Sequence, residues 1–77
     1  MVFSRLKDLR EDADKHQSDI AELLHCQREV YRRYETGVSE LPVWALIVLA
    51  QYYHTSTDYI LGLTNERRPY PPALKLD

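Results

Sequence analysis

Between Gln17 and Gly37 the chain reads QSDIAELLHCQREVYRRYETG, and its apolar residues recur every three or four positions. That period fits helices and no strand. Ile20, Ala21, Leu23 and Leu24 make the stripe of one short helix, and Val30, Tyr31 and Tyr34 the stripe of a second. His25 and Cys26 leave room between them only for a tight turn, and Ala21 is small where two steeply crossing backbones would approach. On the second helix Arg28 and Arg32 are four apart, as are Glu29 and Arg33, so both pairs leave from the side opposite Tyr31 and Tyr34. The back of this helix is apolar and its front is charged.

The flanking segments extend the helical reading. Ser4 can cap a first helix from about Arg5 to Ala13, with Leu6, Leu9 and Ala13 inward and Arg5, Lys7, Asp8, Glu11 and Asp12 outward. Asp14, Lys15 and His16 break it. His16 falls at the N-cap of the helix that starts at Gln17, where Ser, Thr, Asp or Asn would serve better by about 1 kcal/mol, and Asp19 supplies half of a capping box. The turn at His25 calls for a left-handed backbone, at a cost of about 1 kcal/mol for a residue other than glycine. The third helix runs from about Gln27 to Thr36 and Gly37 stops it.

Pro42 suits the first turn of a fourth helix reaching Tyr53, because its missing N–H is not needed there. Val43, Leu46, Ile47, Leu49, Ala50 and Tyr53 make its core face; Trp44 and Val48 lie on the other side, with Gln51 and Tyr52 beside them. Thr57 and Asp58 start a short fifth helix through Leu61, which Gly62 ends. Pro69, Pro71 and Pro72 then make an extended tail, which Tyr70, Leu74 and Leu76 can anchor in part. The expectation is an all-α, compact five-helix domain over residues 1–64 and a Pro-containing tail over residues 65–77.

Seventy-seven residues hold one thin core, and 44 % hydrophobic with 29 % charged residues is a globular balance. Ten Lys and Arg against twelve Asp and Glu give a net charge of −2, so the molecule as a whole has nothing to draw it to phosphate. Residues 27–35 differ: Arg28, Arg32 and Arg33 outnumber Glu29 and Glu35. The single Cys26 excludes an internal disulfide, no secretory signal precedes the first helix, and the apolar run Leu41 to Ala50 is too short to span a bilayer. A soluble, cytoplasmic protein is expected. His16, His25, His54 and Cys26 match no zinc spacing, so neither metal nor cofactor is expected. With no Gly-rich phosphate loop, carboxylate pair or nucleophile beside a base, neither is an enzyme.

In this order the segments RLKDLRED, QSDIAELL, VYRRYETG, ELPVWALIVLAQYY and TSTDYILGLT resemble the phage-repressor and Cro-like (xenobiotic-response-element type) helix-turn-helix family of DNA-binding proteins, over about Arg5 to Thr64. The closing pattern most resembles small repressors of Gram-positive bacteria and their mobile elements. The resemblance implies a transcriptional regulator bound to double-stranded DNA, with the third helix in the major groove. It implies that Gln17 bonds a phosphate, that Gln27, Arg28, Glu29 and Arg33 read base edges, and that Arg32 stands nearer the DNA backbone. It also implies a structural ion pair between Arg10 and Glu35. The chain departs from the family at His16, at His25 in place of the turn glycine, and at Tyr31 in place of Ile or Val.

Two readings stay open for Trp44 and Val48, which in the family are commonly polar. They can pack on the chain's own tail, or, with Tyr52, form a homodimer interface that sets two recognition helices about 34 Å apart. A repressor on a palindromic operator needs the second. The competing function is a protein-interaction module, an antitoxin for example, that keeps this fold and holds a protein partner through the fourth helix and the tail.

Overall fold

The structure, a computed structural model, describes residues 2–71. Five helices follow one another: α1 (Ser4–Asp12), α2 (Gln17–Leu23), α3 (Arg28–Thr36), α4 (Val43–Tyr52) and α5 (Thr57–Leu61). No strand occurs among the described residues. The all-α, five-helix architecture expected from the sequence is the one found. α3 packs against α2 and α1, and α5 against α4 and α1, so α1 joins the two helix pairs.

Every helix ends in a left-handed residue. Gly37 and Gly62 do so after α3 and α5, each at φ 81°. After α1, α2 and α4 the residue is Asp14 (φ 59°), His25 (φ 55°) or His54 (φ 53°). In all three the next amide donates to the carbonyl five positions back, Lys15 to Arg10 at 3.1 Å, Cys26 to Ala21 at 2.9 Å and Thr55 to Ala50 at 2.9 Å, and the left-handed residue's own amide donates to the carbonyl three positions back. This double closure satisfies carbonyls that a helix end leaves free, and it offsets the strain of a side chain at positive φ. The sequence leads one to expect a left-handed turn at His25 but not at Asp14 or His54.

The starts of the helices differ from expectation at two places. Ser4 is the first residue of α1 rather than its cap; Phe3 holds the N-cap position without a side-chain bond, and its carbonyl accepts from the Leu6 amide at 3.0 Å. Pro42 likewise stands just before α4, as its N-cap. At α2 the half capping box is present, since the Asp19 carboxylate accepts from the His16 amide at 2.8 Å while the His16 ring makes no cap bond. α5 has a complete cap: Ser56 Oγ accepts from the Tyr59 amide at 3.0 Å.

The core is built from Leu6 and Leu9 of α1, Ile20, Ala21 and Leu24 around α2, Tyr31 of α3, Ala45, Leu46, Leu49 and Ala50 of α4, Tyr53, and Ile60 of α5. Each fully buried aliphatic side chain contributes about 1.5–3 kcal/mol. Three residues expected inside are exposed. Ala13 caps the end of α1, and Val43 and Ile47 are 71 % and 45 % exposed. Ala45 takes their place, and Val48 is half-buried against the core. The reason lies in α4 itself, which is apolar on nearly every side. Its sequence has no polar contrast to mark which arc faces inward, so its packing against α5 decides.

Arg5, expected on the outside of α1, is half-buried and ties the ends of the domain together. Its guanidinium lies over the Tyr59 ring, 4.1 Å from the centroid, and donates to the Tyr59 carbonyl at 2.7 Å, to the Thr64 carbonyl and to Asn65 Oδ1 at 2.7 Å. Beyond α5 the chain is non-helical through Pro71. Thr55 Oγ1 donates to the Arg67 carbonyl at 2.6 Å and the Tyr70 hydroxyl to Asp58 Oδ2 at 3.0 Å, so this segment is fastened along α5. Tyr70 thus anchors the tail as expected; Leu74 and Leu76 lie outside the described residues.

Candidate nucleic-acid interface

The first turn of α3 follows the left-handed turn at His25 and opens with Gln27 as N-cap. From there the helix presents two unlike sides. Tyr31 is fully buried and Glu35 nearly so, while Gln27, Arg28, Glu29 and Arg33 are exposed and Arg32 half-exposed. The charged side expected from the spacing is therefore outward, backed by a tyrosine and a carboxylate rather than by aliphatic residues alone.

What fixes the angle of α3 is a buried ion pair with α1. Arg10 Nε and Nη2 donate to Glu35 Oε2 and Oε1, both at 2.9 Å, and the side chains are only 12 % and 4 % exposed. Arg10 Nη1 also donates to the Lys15 carbonyl at 2.9 Å, and Gln17 Nε2 approaches Glu35 Oε1 at 3.4 Å. One guanidinium thus joins α1, the α1–α2 turn and α3, and Gln17 brings in α2. Burial alone would raise the Glu35 carboxyl, but Arg10 first, then the nearby Tyr31 hydroxyl and Gln17, prevail and hold it below the ordinary carboxylate range. The same pairing raises Arg10. Beside this pair, burial and then the nearby Glu35 carboxylate push the Tyr31 phenol far above its usual range. The geometry makes no hydrogen bond of that approach: the Tyr31 and Tyr53 hydroxyls are both buried without a partner among the described residues.

On the outer side the acid is shared unequally. Arg32 holds Glu29 with two bonds, Nε to Oε2 at 2.9 Å and Nη2 to Oε1 at 2.6 Å, while Arg33 Nε stands 3.6 Å from Glu29 Oε1. The contact of Glu29 with Arg33, four residues on, is thus the looser of the two. The Arg32 bonds hold the Glu29 carboxyl below its ordinary range. Arg28 makes no ion pair among the described residues. Its side chain instead borders a polar concavity of about 500 Å³, which it shares with Arg10, His16, Gln17 and Ser18.

The structure therefore brings Gln17 and Arg28 to one site and sets Glu29, Arg32 and Arg33 together along the helix front. Sequence reasoning passed over Ser18 and saw in His16 only a poor cap. Their position at the start of α2, one turn before the apolar stripe, was the available signal. Among the described residues no three His, Cys, Asp or Glu side chains group closely enough to hold a metal, and no helix is long and apolar enough to cross a membrane. Cys26 is half-buried against the core, where burial raises its thiol.

Comparison with known proteins agrees with this geometry. Residues 4–60 match the model of a family described as a helix-turn-helix domain. The uncharacterized HTH-type transcriptional regulator YobD of Bacillus subtilis (strain 168) is 35 % identical over 69 residues, covering 90 % of this chain and 62 % of that protein. The HTH-type transcriptional regulator AnsR of the same organism is 30 % identical over 76 residues, covering 99 % of this chain and 66 % of its own length. The chain thus spans a little under two thirds of the relatives it matches. No solved structure matches it significantly. With five helices in order, an α2–α3 pair closed by a tight turn, and a family match that runs from the start of α1 into α5, the chain belongs to the helix-turn-helix domain family.

Proposed function

We propose that the chain is a sequence-specific DNA-binding transcriptional regulator, a repressor that binds a palindromic operator as a homodimer with α3 in the major groove. The observation that carries this is the two-sided build of α3. Its outer side offers Arg28, Glu29, Arg32 and Arg33, and its inner side is locked by the buried Arg10–Glu35 pair. Rigid presentation matters because base reading needs donors held in register with the groove. An arginine fork on guanine O6 and N7 gives about 1–3 kcal/mol of discrimination, and Gln27, Arg28, Glu29 and Arg33 are the readers in this proposal.

A phosphate seated in the concavity at the start of α2 would meet Gln17 and Arg28 together, which orients the helix before any base is read. Arg32 serves the DNA backbone and steadies Glu29, whose carboxylate can accept from cytosine N4 and repels misplaced phosphate. The names of YobD and AnsR, both HTH-type transcriptional regulators, support a regulator. The homodimer is formed through the exterior of α4, the region of Trp44, Val48 and Tyr52. Repression follows from occupying a promoter.

Selection of binding sites from random DNA tests the proposal, followed by gel-shift of the selected site with Arg28→Ala and Arg33→Ala. Selection of a two-fold-symmetric site is expected, with both variants folded and no longer selective. An unchanged sequence preference in both variants refutes the assignment of α3 as the reader. Failure to bind DNA at any salt concentration favours the protein-interaction reading, to which the net charge of −2 and the uncharged exterior of α4 are suited.

A further inference from the structure

Two of the three arginines on α3 share one carboxylate. Arg32 holds both oxygens of Glu29 through the Nε–Nη2 edge of its guanidinium, at 2.9 and 2.6 Å. Arg33 Nε, at 3.6 Å from Oε1, supplies charge but no hydrogen bond. All three side chains are about half exposed, so water screens the pairs and they add little to stability. They matter once DNA displaces that water. A phosphate that draws Arg32 away leaves Glu29 in the groove without a donor, and a desolvated, unpaired carboxylate is strongly unfavourable. A base that offers Glu29 an amino group removes that penalty. Cytosine N4 does so; adenine N6 has the N7 acceptor beside it, and guanine and thymine present only acceptors in the major groove.

From this we infer that Glu29 and Arg32 form an exchange pair that makes one phosphate contact conditional on one base. On unrelated DNA Arg32 stays with Glu29. On the operator Glu29 turns to a cytosine amino group, and Arg32 is released to the DNA backbone. The inference rests on the reading of α3 as the DNA reader and adds a coupling within it: the two roles of Arg32, holding Glu29 and meeting phosphate, belong to different complexes. Arg28 makes no ion pair among the described residues and borders the concavity with Gln17 and Ser18, so it stands outside the exchange and is free to meet phosphate on any sequence. The single acid on the front of α3 thereby sets how many arginines a random duplex can use.

Salt titrations of binding to a random duplex and to the selected operator test this, because each phosphate contact adds about 0.9 to the slope of log K against log salt. Glu29→Gln frees Arg32 on every sequence. Its slope on random DNA is expected to be steeper than the wild type's by about 0.9 per bound chain, about eightfold tighter at 0.1 M salt relative to 1 M, with an unchanged slope on the operator. The double variant Glu29→Gln with Arg32→Gln should return the random-DNA slope to the wild-type value and make the operator slope shallower by about 0.9. Asp8→Asn removes the same charge from the exposed side of α1 and should leave both slopes as they are. Helical circular dichroism checks that each variant is folded. A wild type that binds neither duplex at any salt, or binds both alike, overturns α3 as the reader and the exchange with it. A wild type that prefers its operator overturns the exchange alone if Glu29→Gln leaves the random-DNA slope unchanged, if Asp8→Asn steepens it equally, or if the double variant keeps the steeper slope.

Discussion

Replacing Arg10 with alanine is expected to unfold much of this protein's stability, and the structure says how much. Glu35 keeps only 4 % of its side chain exposed and depends on Arg10 for both of its short hydrogen bonds, so Arg10→Ala leaves a buried carboxylate alone with a long contact to Gln17. Breaking a buried pair from one side costs about 3–5 kcal/mol. For 77 residues the unfolding entropy near the midpoint is about 160 cal/mol/K, so each kcal/mol moves Tm by about 6 °C. The variant should melt about 18–30 °C below the wild type. The double variant Arg10→Met with Glu35→Leu removes both charges and should recover most of that loss.

Acid titration gives the second arm. Because the folded Glu35 carboxyl sits below its ordinary range, its contribution is complete above the unfolded carboxylate value of about 4.3 and disappears as pH falls through the lower folded value. Wild-type stability should therefore fall in that acid window, and this part of the fall should be missing from the double variant. Calorimetry across pH measures both. A loss in Arg10→Ala below about 1 kcal/mol, in the range of surface pairs, refutes the reasoning, as does a double variant no more stable than the single.

Three further outcomes follow from the geometry. His25→Val places a β-branched side chain at φ 55°, and thermal melting should show a loss of about 1–2 kcal/mol; no loss would mean that the α2–α3 turn is not left-handed. Tyr31→Phe and Tyr53→Phe each remove a buried hydroxyl that has no partner among the described residues, so urea unfolding should find them between neutral and about 1 kcal/mol more stable, and a clear loss would reveal a bond absent here. Loss of selective DNA binding in Arg28→Ala and Arg33→Ala should come with Tm within about 3 °C of the wild type, because both side chains are solvent-exposed and neither packs in the core.

Much of this was legible from the residues. The α2–α3 pair, its turn at His25 and the stop at Gly37 follow from apolar spacing and a residue able to turn left-handed, and the Arg10–Glu35 pair from resemblance to the family. α4 was the opposite case. Ten nearly all-apolar residues carry no phase information, so the spacing points Val43 and Ile47 inward, whereas Ala45 is the residue that is buried. Arg5 was misjudged for a related reason: one arginine on a charged helix looks solvated until a segment more than fifty positions away folds back on it. The sharing of Glu29 between Arg32 and Arg33 lies below what spacing resolves, because both the three- and four-residue offsets permit a bond.

The Arg5 clasp has a kinetic meaning. Its bonds to Tyr59, Thr64 and Asn65 cross 54, 59 and 60 positions of sequence, whereas the helix-end closures and the α2–α3 pair are local. Contacts that close so long a loop bear its closure entropy before they stabilise anything, so this clasp is expected to form after the local ones. Such an interaction lowers the native state without lowering the barrier by as much, so its effect falls on the rate of opening rather than of folding. Arg5→Ala is thus expected to speed the opening of the domain more than it slows its folding.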